Sequence, residues 1–274
     1  GMVATIKEAE NFGLPFDVVD DLTGARLGRA KSATFRTADV VGLDTMAHVI
    51  KTMQDTLPSS VDPFAAHFAT PPVLQALVDK GALGQKAKAG FYRKEGKTIK
   101  VLDPRSQQYV PSTGKADEQV ARILKKKDVA ERLRLLREMD HPQAKFLWAI
   151  FRDMFHYIAV HAASIAHAVR DIDFALRWGF GWQTGPFEIW QAAGWQQVAQ
   201  WVKADIDAGL ALSAAPLPDW VWQVGKRGGV YSDQGAYAPE SKRFVGRSDL
   251  PVYARQMFRA PLLGEGRSEE RRVG

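Results

Sequence analysis

The chain has 274 residues, of which 46% are hydrophobic and 25% charged, a composition typical of a folded protein with a sizeable core. The absence of cysteine excludes disulfides and thiolate chemistry and suits a reducing cytoplasm. The net charge of +6 slightly favours anionic partners. Charged residues interrupt both the N-terminus and the longest apolar run, 146–169, so we expect neither a signal peptide nor a membrane span.

The first third of the chain predicts helices followed by a β-hairpin. Met2–Asn11 has the pattern of a helix with no capping residue before it, so we expect this helix to begin upstream of Gly1 in a longer protein. Residues 19–51 indicate a helix, a turn, a short helix, a glycine and an amphipathic helix. In residues 91–102 apolar and polar side chains alternate around a Glu95-Gly96 turn, which predicts a hairpin.

The charged segment 115–140 predicts amphipathic helices that connect two similar halves of the chain. Beyond it, the apolar spacing of residues 146–169 predicts one long and largely buried helix. Pro186 suits the first turn of a further helix, and Gly209 can end the helix that follows. Residues 228–239 predict a second hairpin, in which Val230-Tyr231 takes the place of Phe91-Tyr92.

These two halves predict an internal repeat. Shifting the chain by 152 residues aligns residues 19–51 with 171–203 without a gap. The shift pairs Asp21 with Asp173, Phe35 with Phe187 and Gly42 with Gly194, among five identities. We therefore expect two superposable helical units.

The two copies differ in charge over one loop. Four basic residues and no acid fall within residues 26–36, namely Arg26, Arg29, Lys31 and Arg36. The loop suits phosphate or carboxylate groups, or it is a solvated or internally paired basic surface. Its second-copy counterpart, residues 178–188, has no basic residue. It overlaps the aromatic and glycine-rich segment 179–194, which we interpret as a tight joint between helices.

No catalytic motif is evident in the sequence. The six histidines lack the i, i+4 spacing of a helical zinc site, so we expect no metal. Gly179-Phe180-Gly181 follows a helix rather than a strand, which argues against a dinucleotide-binding loop. The one compact basic run, Lys125–Lys127, is followed by acids and lacks aromatic neighbours, so we expect no nucleic-acid partner.

Three segments resemble a known family. Residues 28–45 (GRAKSATFRTADVVGLDT), 77–92 (LVDKGALGQKAKAGFY) and 171–194 (DIDFALRWGFGWQTGPFEIWQAAG) resemble the tandem C-terminal helical domains of long bacterial 3-hydroxyacyl-CoA dehydrogenases. The resemblance implies a mainly α fold made of two repeats of a 6-phosphogluconate dehydrogenase C-terminal-like helical domain with small hairpins. It also implies a first domain at 1–112, a charged connector at 113–140 and a second domain at 141–266. Residues 267–274 (RSEERRVG) resemble the translation of a sequencing adapter, so we expect a non-native tail there.

The resemblance further implies an NAD-dependent oxidation of L-3-hydroxyacyl-CoA in fatty acid β-oxidation in the cytoplasm. In that family the NAD site and the catalytic residues belong to an upstream Rossmann domain. We therefore expect this chain to be an inactive fragment with no catalytic or cofactor-binding residue of its own. Its expected partners are acyl-CoA, that Rossmann domain and a C-terminal enoyl-CoA hydratase-like domain.

The resemblance places the substrate side of the first domain on one short segment. Its candidate acyl-CoA-contacting residues are Lys31, Ser32, Thr34, Phe35 and Arg36, and the aromatic segment 179–194 becomes chiefly a joint between the two domains. The alternative is a non-catalytic module that binds acyl-CoA or serves in assembly.

Overall fold

The computed structural model describes residues 1–247 of the chain, which form two compact units. The first unit contains Gly1–Lys127, Arg132–Asp153 and Ala211–Ala214. The second contains Asp128–Glu131, Met154–Leu210 and, among the described residues, 215–247. The predicted tail at 267–274 and the end of the predicted second domain lie outside the described residues, and the predicted domain boundaries stay a prediction.

Within residues 1–247 the chain forms twelve α-helices and two small antiparallel sheets, which confirms the mainly α fold with minor hairpins. The helices are α1 (Met2–Asn11), α2 (Phe16–Thr23), α3 (Phe35–Val41), α4 (Leu43–Thr56), α5 (Pro72–Asp79), α6 (Glu118–Leu124), α7 (Val129–Glu138), α8 (Pro142–Ile165), α9 (Val169–Phe180), α10 (Pro186–Ala192), α11 (Trp195–Asp207) and α12 (Asp219–Gly225). The strands are β1 (Tyr92–Glu95), β2 (Thr98–Leu102), β3 (Tyr109–Pro111), β4 (Tyr231–Ser232), β5 (Gly235–Ala238) and β6 (Arg243–Val245).

Both predicted hairpins are present, and each gains a third strand. In the first, Glu95 pairs with Thr98, so Gly96 and Lys97 form a two-residue turn, and Gly96 has a φ of 60° that suits glycine. Strand β3 then pairs with β2. The second sheet has the same order, β4-β5-β6. The sequence did not predict either third strand, because each has only three residues.

The predicted helix over residues 146–169 is wrong at its end. Helix α8 ends at Ile165, and Val169 begins α9 instead. Ala168 is extended, with φ −141° and ψ 157°, and its N–H donates to Asp171 at 3.0 Å. The Asp171 side chain therefore satisfies a backbone donor at the start of α9. The prediction missed this start because the apolar spacing continues from α8 into α9 without a break.

Aromatic side chains fill the core of each unit. In the first unit Phe16, Phe35 and Phe91 are fully buried, with ring centroids 4.5 to 5.0 Å apart. In the second unit Trp190 and Trp195 stack at 4.2 Å. Phe187 lies 6.4 Å from Trp190 in the same cluster. No helix within the described part of the chain combines the length and apolar character needed to cross a membrane.

A buried ionic cluster lies inside the first unit. Arg152 contacts Glu8 at 3.3 Å and Asp153 at 2.8 Å, and all three side chains are at most 6% exposed. Burial and the neighbouring Glu8 raise the pKa of Asp153 to about 7, against the lowering effect of Arg152. The cluster connects α1 with α8 inside this unit.

Candidate functional site

In the first unit the carboxylate of Asp20 organises the start of α3. Asp20 accepts hydrogen bonds from the backbone N–H groups of Thr34, Phe35 and Arg36 at 2.7 to 3.1 Å. These donors have no partner within their own helix, so the carboxylate stabilises the helix start. The Tyr92 hydroxyl also donates to Asp20, at 2.8 Å. Burial raises the pKa of Asp20 to about 6, although these hydrogen bonds act in the opposite direction.

A second buried carboxylate, Asp39, ties α3 to the first hairpin. It accepts hydrogen bonds from the N–H groups of Phe91 and Tyr92, both at 2.8 Å. A Cβ at Gly90 would lie 2.1 Å from the Asp39 Oδ1, so only glycine fits at that position. Burial raises the pKa of Asp39 to about 6. Asp20 therefore joins α2 to the start of α3 and to the Tyr92 hydroxyl, and Asp39 joins α3 to the backbone of Phe91 and Tyr92.

The second unit repeats the Asp20 arrangement around Asp173. Asp173 accepts from the N–H groups of Phe187 at 2.8 Å and Glu188 at 3.0 Å, and from the Tyr231 hydroxyl at 2.5 Å. Burial raises the pKa of Asp173 to about 8. The expected equivalence of Tyr231 with Tyr92 is thus confirmed, because each hydroxyl donates to the carboxylate at the start of its helix.

Gln191 occupies the place of Asp39 in the second unit. Its Oε1 accepts from the Tyr231 N–H at 2.8 Å, and its Nε2 donates to the Tyr231 carbonyl at 2.9 Å. A Cβ at Gly229 would lie 2.4 Å from the Gln191 Oε1, as at Gly90 in the first unit. The same connection is made by a neutral amide instead of a carboxylate.

The repeat is therefore real, but its ungapped alignment is wrong at one position. The partner of Asp173 is Asp20, not Asp21, because Asp20 lies 15 residues before Phe35 and Asp173 lies 14 before Phe187. The first copy has one extra residue in this loop. Asp21 has a different role, accepting from Arg26 at 3.0 Å and from the Ala116 N–H at 2.9 Å.

The copies diverge at the position after the shared phenylalanine. In the second unit Glu188 caps its own helix by accepting from the Gly185 N–H at 2.6 Å, and Arg177 approaches it at 3.4 Å. In the first unit this position is Arg36, whose exposed guanidinium lies 4.6 Å above the ring of Tyr92. The first unit thus replaces an internal acid by a cation at its surface.

The five candidate acyl-CoA residues fall in different environments. Phe35 is fully buried in the core, so it has no surface to offer a ligand. The Thr34 hydroxyl lies 3.1 Å from that of Thr23, and the Ser32 hydroxyl accepts from Thr37 at 2.8 Å; both side chains are half-buried. Lys31 and Arg36 are exposed. The surface that this loop presents is therefore basic.

The basic loop is partly paired within the first unit. Arg26 contacts Asp21 at 3.0 Å, with about a third of each side chain exposed. Arg29 is half-buried, and burial lowers the pKa of its guanidinium to about 10. Of the four cations in the loop, Lys31 and Arg36 keep their charges on the surface.

The aromatic segment 179–194 is divided between a surface part and a core part. Phe180 is 66% exposed and precedes Gly181, whose φ of 67° ends α9. The residues from Pro186 to Trp190 are buried. A Cβ at Gly185 would lie 2.3 Å from the Asp173 carboxyl carbon, which confirms a tight joint between α9 and α10. A role of this segment between the two units stays a prediction.

Two of the histidines, His67 and His156, make contacts within their own unit. His156 is fully buried, and its Nε2 lies 2.7 Å from the Ala215 carbonyl. The Nδ1 of His67 lies 2.8 Å from the Lys7 amine. Among residues 1–247 no three His, Asp or Glu side chains converge as a metal site would require.

Sequence reasoning missed Asp39, Gln191 and their paired glycines. The ungapped shift of 152 residues already pairs Asp39 with Gln191, as it pairs Phe35 with Phe187, and this pairing was the signal that could have found them. Gly90 and Gly229 directly precede the predicted hairpin pairs. The polar residue and the glycine form a contact only when the hairpin folds onto the helix.

The geometry defines a protein with a duplicated helical domain in which a buried carboxylate joins two helices and a tyrosine from a hairpin. Residues 4–94, which contain Asp20, Asp39 and Tyr92, match the family model described as "3-hydroxyacyl-CoA dehydrogenase, C-terminal domain". Residues 4–94 therefore form a domain of this family of dehydrogenase C-terminal domains.

Curated relatives agree with this assignment. The chain is 36% identical over 228 residues to a "Probable 3-hydroxyacyl-CoA dehydrogenase" of Bacillus subtilis, which covers 83% of this chain and 28% of that relative. A protein of the same name from Deinococcus radiodurans is 42% identical over 94 residues, 34% of this chain and 26% of that relative. A "Putative fatty acid oxidation complex trifunctional enzyme" of Rickettsia felis is 27% identical over 214 residues, 76% of this chain and 27% of that relative. The chain thus spans about a quarter of the length of these relatives.

Proposed function

We propose that this chain is the substrate-side helical region of an NAD-dependent L-3-hydroxyacyl-CoA dehydrogenase that acts in fatty acid oxidation in the cytoplasm. On this proposal NAD and the groups that transfer hydride and proton belong to an upstream Rossmann domain. This chain supplies part of the acyl-CoA site and does not catalyse the reaction alone. A C-terminal hydratase-like domain is a further proposed partner.

The observation that carries the proposal is the duplicated carboxylate arrangement. One copy, around Asp20, falls inside the range matched by the family model, and the other, around Asp173, lies well beyond it. The 228 residues aligned with the Bacillus subtilis protein are more than twice the 91 residues from 4 to 94. A relative named as a dehydrogenase is therefore similar to this chain over far more than one domain.

The proposal gives the basic loop a role in binding substrate. Lys31 and Arg36 are exposed cations at the start of α3, and phosphate groups of CoA are the anions they suit. Ser32 and Thr34 flank this surface, while Phe35 fixes the helix start from within the core.

The first test is activity. We expect the full reading frame that encodes this chain to oxidise NADH with acetoacetyl-CoA, as followed by NADH absorbance, and the 274-residue chain by itself to give no turnover. Turnover by the chain alone would contradict the assignment of chemistry to another domain. An active full-length protein that retains its rate when residues 1–247 are deleted would contradict the substrate-side role.

The second test concerns the basic loop. In the full-length protein, Lys31→Ala is expected to raise KM for acetoacetyl-CoA about two- to fivefold at unchanged kcat, as expected for an exposed ion pair of up to ~1 kcal/mol. Lys94→Ala removes an equally exposed lysine from the first hairpin and is the matched control. Equal KM values for both variants would show that the loop does not contact substrate.

The alternative, a non-catalytic acyl-CoA-binding or assembly module, gives a different result in calorimetry. Micromolar affinity of the 274-residue chain for acyl-CoA, together with a full-length protein that never oxidises NADH, would favour that alternative.

A further inference from the structure

The first unit contains a cavity of about 320 Å³ between the end of α5, the loop that follows it and the first sheet. Most of its lining is apolar and small, with several alanines and two leucines. Two cations, Lys80 and Arg93, also line it, together with Gln107 and Tyr109 and with no acidic residue. An apolar cavity with a few polar groups and two positive charges suits a ligand that has both a flat apolar part and an anionic part.

Arg93 is held in position at this cavity. Its guanidinium lies 4.2 Å from the centroid of the Tyr109 ring, and the Tyr109 hydroxyl donates to the Gly90 carbonyl at 2.5 Å. Arg93 also pairs with Glu95, but Glu95 is shared with Lys100, so this group keeps an excess positive charge. Among residues 1–247 the buried Nε of Arg93 has no hydrogen-bond acceptor.

Lys80 provides the second charge. It is exposed, directly follows α5, and makes no ion pair with any residue of the described chain. Its long side chain can therefore turn toward an anion without breaking an existing contact.

The loop that builds the cavity is specific to the first unit. Ten residues, 80–89, separate α5 from Gly90, whereas three residues, 226–228, separate α12 from the equivalent Gly229. Five of those ten residues line the cavity, namely Lys80, Gly81, Ala82, Ala87 and Ala89.

The loop is anchored, so the cavity is preformed. The Gly84 N–H donates to the Ala89 carbonyl at 2.7 Å, and a Cβ at Gly84 would lie 2.3 Å from the Asp39 carbonyl oxygen. A preformed cavity binds without the entropic cost of ordering a loop.

We propose that this cavity binds one purine nucleotide, with its base against the apolar lining and its phosphate at Lys80 and Arg93. The volume of about 320 Å³ is near the lower end of the range for ligand pockets, about 300–1,000 Å³, and fits one nucleotide rather than a whole acyl-CoA. The identity of the nucleotide rests on the proposed function, which points to adenosine 3′,5′-bisphosphate, the nucleotide end of CoA.

Calorimetry on the purified chain tests the inference with adenosine 3′,5′-bisphosphate, adenosine and inorganic phosphate as separate titrants. We expect the bisphosphate to bind more tightly than either of the other two. Lys80→Ala is expected to weaken it about tenfold, the effect of one lost charge-assisted hydrogen bond. Lys226→Ala changes the lysine that follows α12 in the second unit, and it is expected to leave the affinity unchanged.

A second variant checks the cavity itself. Ala76→Phe adds a ring to a half-buried position of the lining and is expected to abolish binding. Thermal melting close to that of the unmodified chain shows that a variant is folded. No heat with millimolar bisphosphate, or equal affinities for the unmodified chain and Lys80→Ala, would overturn the inference.

The activity assay of the full reading frame keeps this inference separate from the proposed function. NADH oxidation without nucleotide binding to this chain rejects the cavity site alone. Nucleotide binding that Lys80→Ala weakens, in a protein that never oxidises NADH, rejects the dehydrogenase assignment and leaves the cavity site standing.

Discussion

Replacing Gly90 by alanine tests how the first unit is held together. The added Cβ would lie 2.1 Å from the Asp39 Oδ1, whereas ordinary contacts of this kind begin near 3.4 Å. Asp39 would have to withdraw and release its two hydrogen bonds to the N–H groups of Phe91 and Tyr92.

The expected cost follows from these lost contacts. Each buried donor left without a partner costs about 1–3 kcal/mol, so the two together lower the free energy of unfolding by about 2–6 kcal/mol. Gly96→Ala is the control, because Gly96 has open space around it and its φ of 60° costs an alanine only about 1–2 kcal/mol. The difference between the two variants measures the close packing of Gly90 against Asp39 and against the Gly84 Cα, which the added Cβ would approach to 2.7 Å.

Urea unfolding followed by circular dichroism measures the loss of stability, and hydrogen exchange of peptides containing Phe91 and Tyr92 locates it. We expect Gly90→Ala to unfold at much lower urea than Gly96→Ala and to exchange faster at these two amides. If Gly90→Ala were no less stable than Gly96→Ala, the claim that Asp39 connects α3 to the hairpin would be refuted.

Two further predictions concern the buried carboxyls. Burial raises the pKa of Asp20 and Asp39 to about 6 and that of Asp173 to about 8 from an ordinary value of 3.8, so the folded chain keeps protons that the unfolded chain loses. Stability should therefore fall as the pH rises from about 4 to about 8, and a urea midpoint at pH 8 equal to or above that at pH 5 would contradict this. Tyr231→Phe removes the hydroxyl that lies 2.5 Å from Asp173 and should lower the free energy of unfolding by about 1–3 kcal/mol. Unchanged thermal melting of this variant would mean that the hydroxyl does not stabilise Asp173.

Periodicity in the sequence was sufficient to predict most of the elements. The helix predicted at Met2–Asn11, the hairpin at residues 91–102 and the helix that Pro186 begins are all present. These features depend on neighbouring residues, because helical spacing, strand alternation and the preferences of proline and glycine act over a few positions. The repeat was also visible, since both copies kept Phe35 and Phe187 as core residues.

Only the tertiary structure decided which polar residues hold each unit together. Asp20 rather than Asp21 is the counterpart of Asp173, because a one-residue difference in loop length is invisible in an ungapped alignment and the hydrogen bonds span 14 or 15 residues. The contact of Asp39 with residues 90–92 spans more than 50 residues. The cavity beside Arg93 likewise forms only when α5, its loop and the sheet come together. Residue type and local pattern determine elements, whereas buried polar contacts depend on which distant backbone groups folding brings within hydrogen-bond distance.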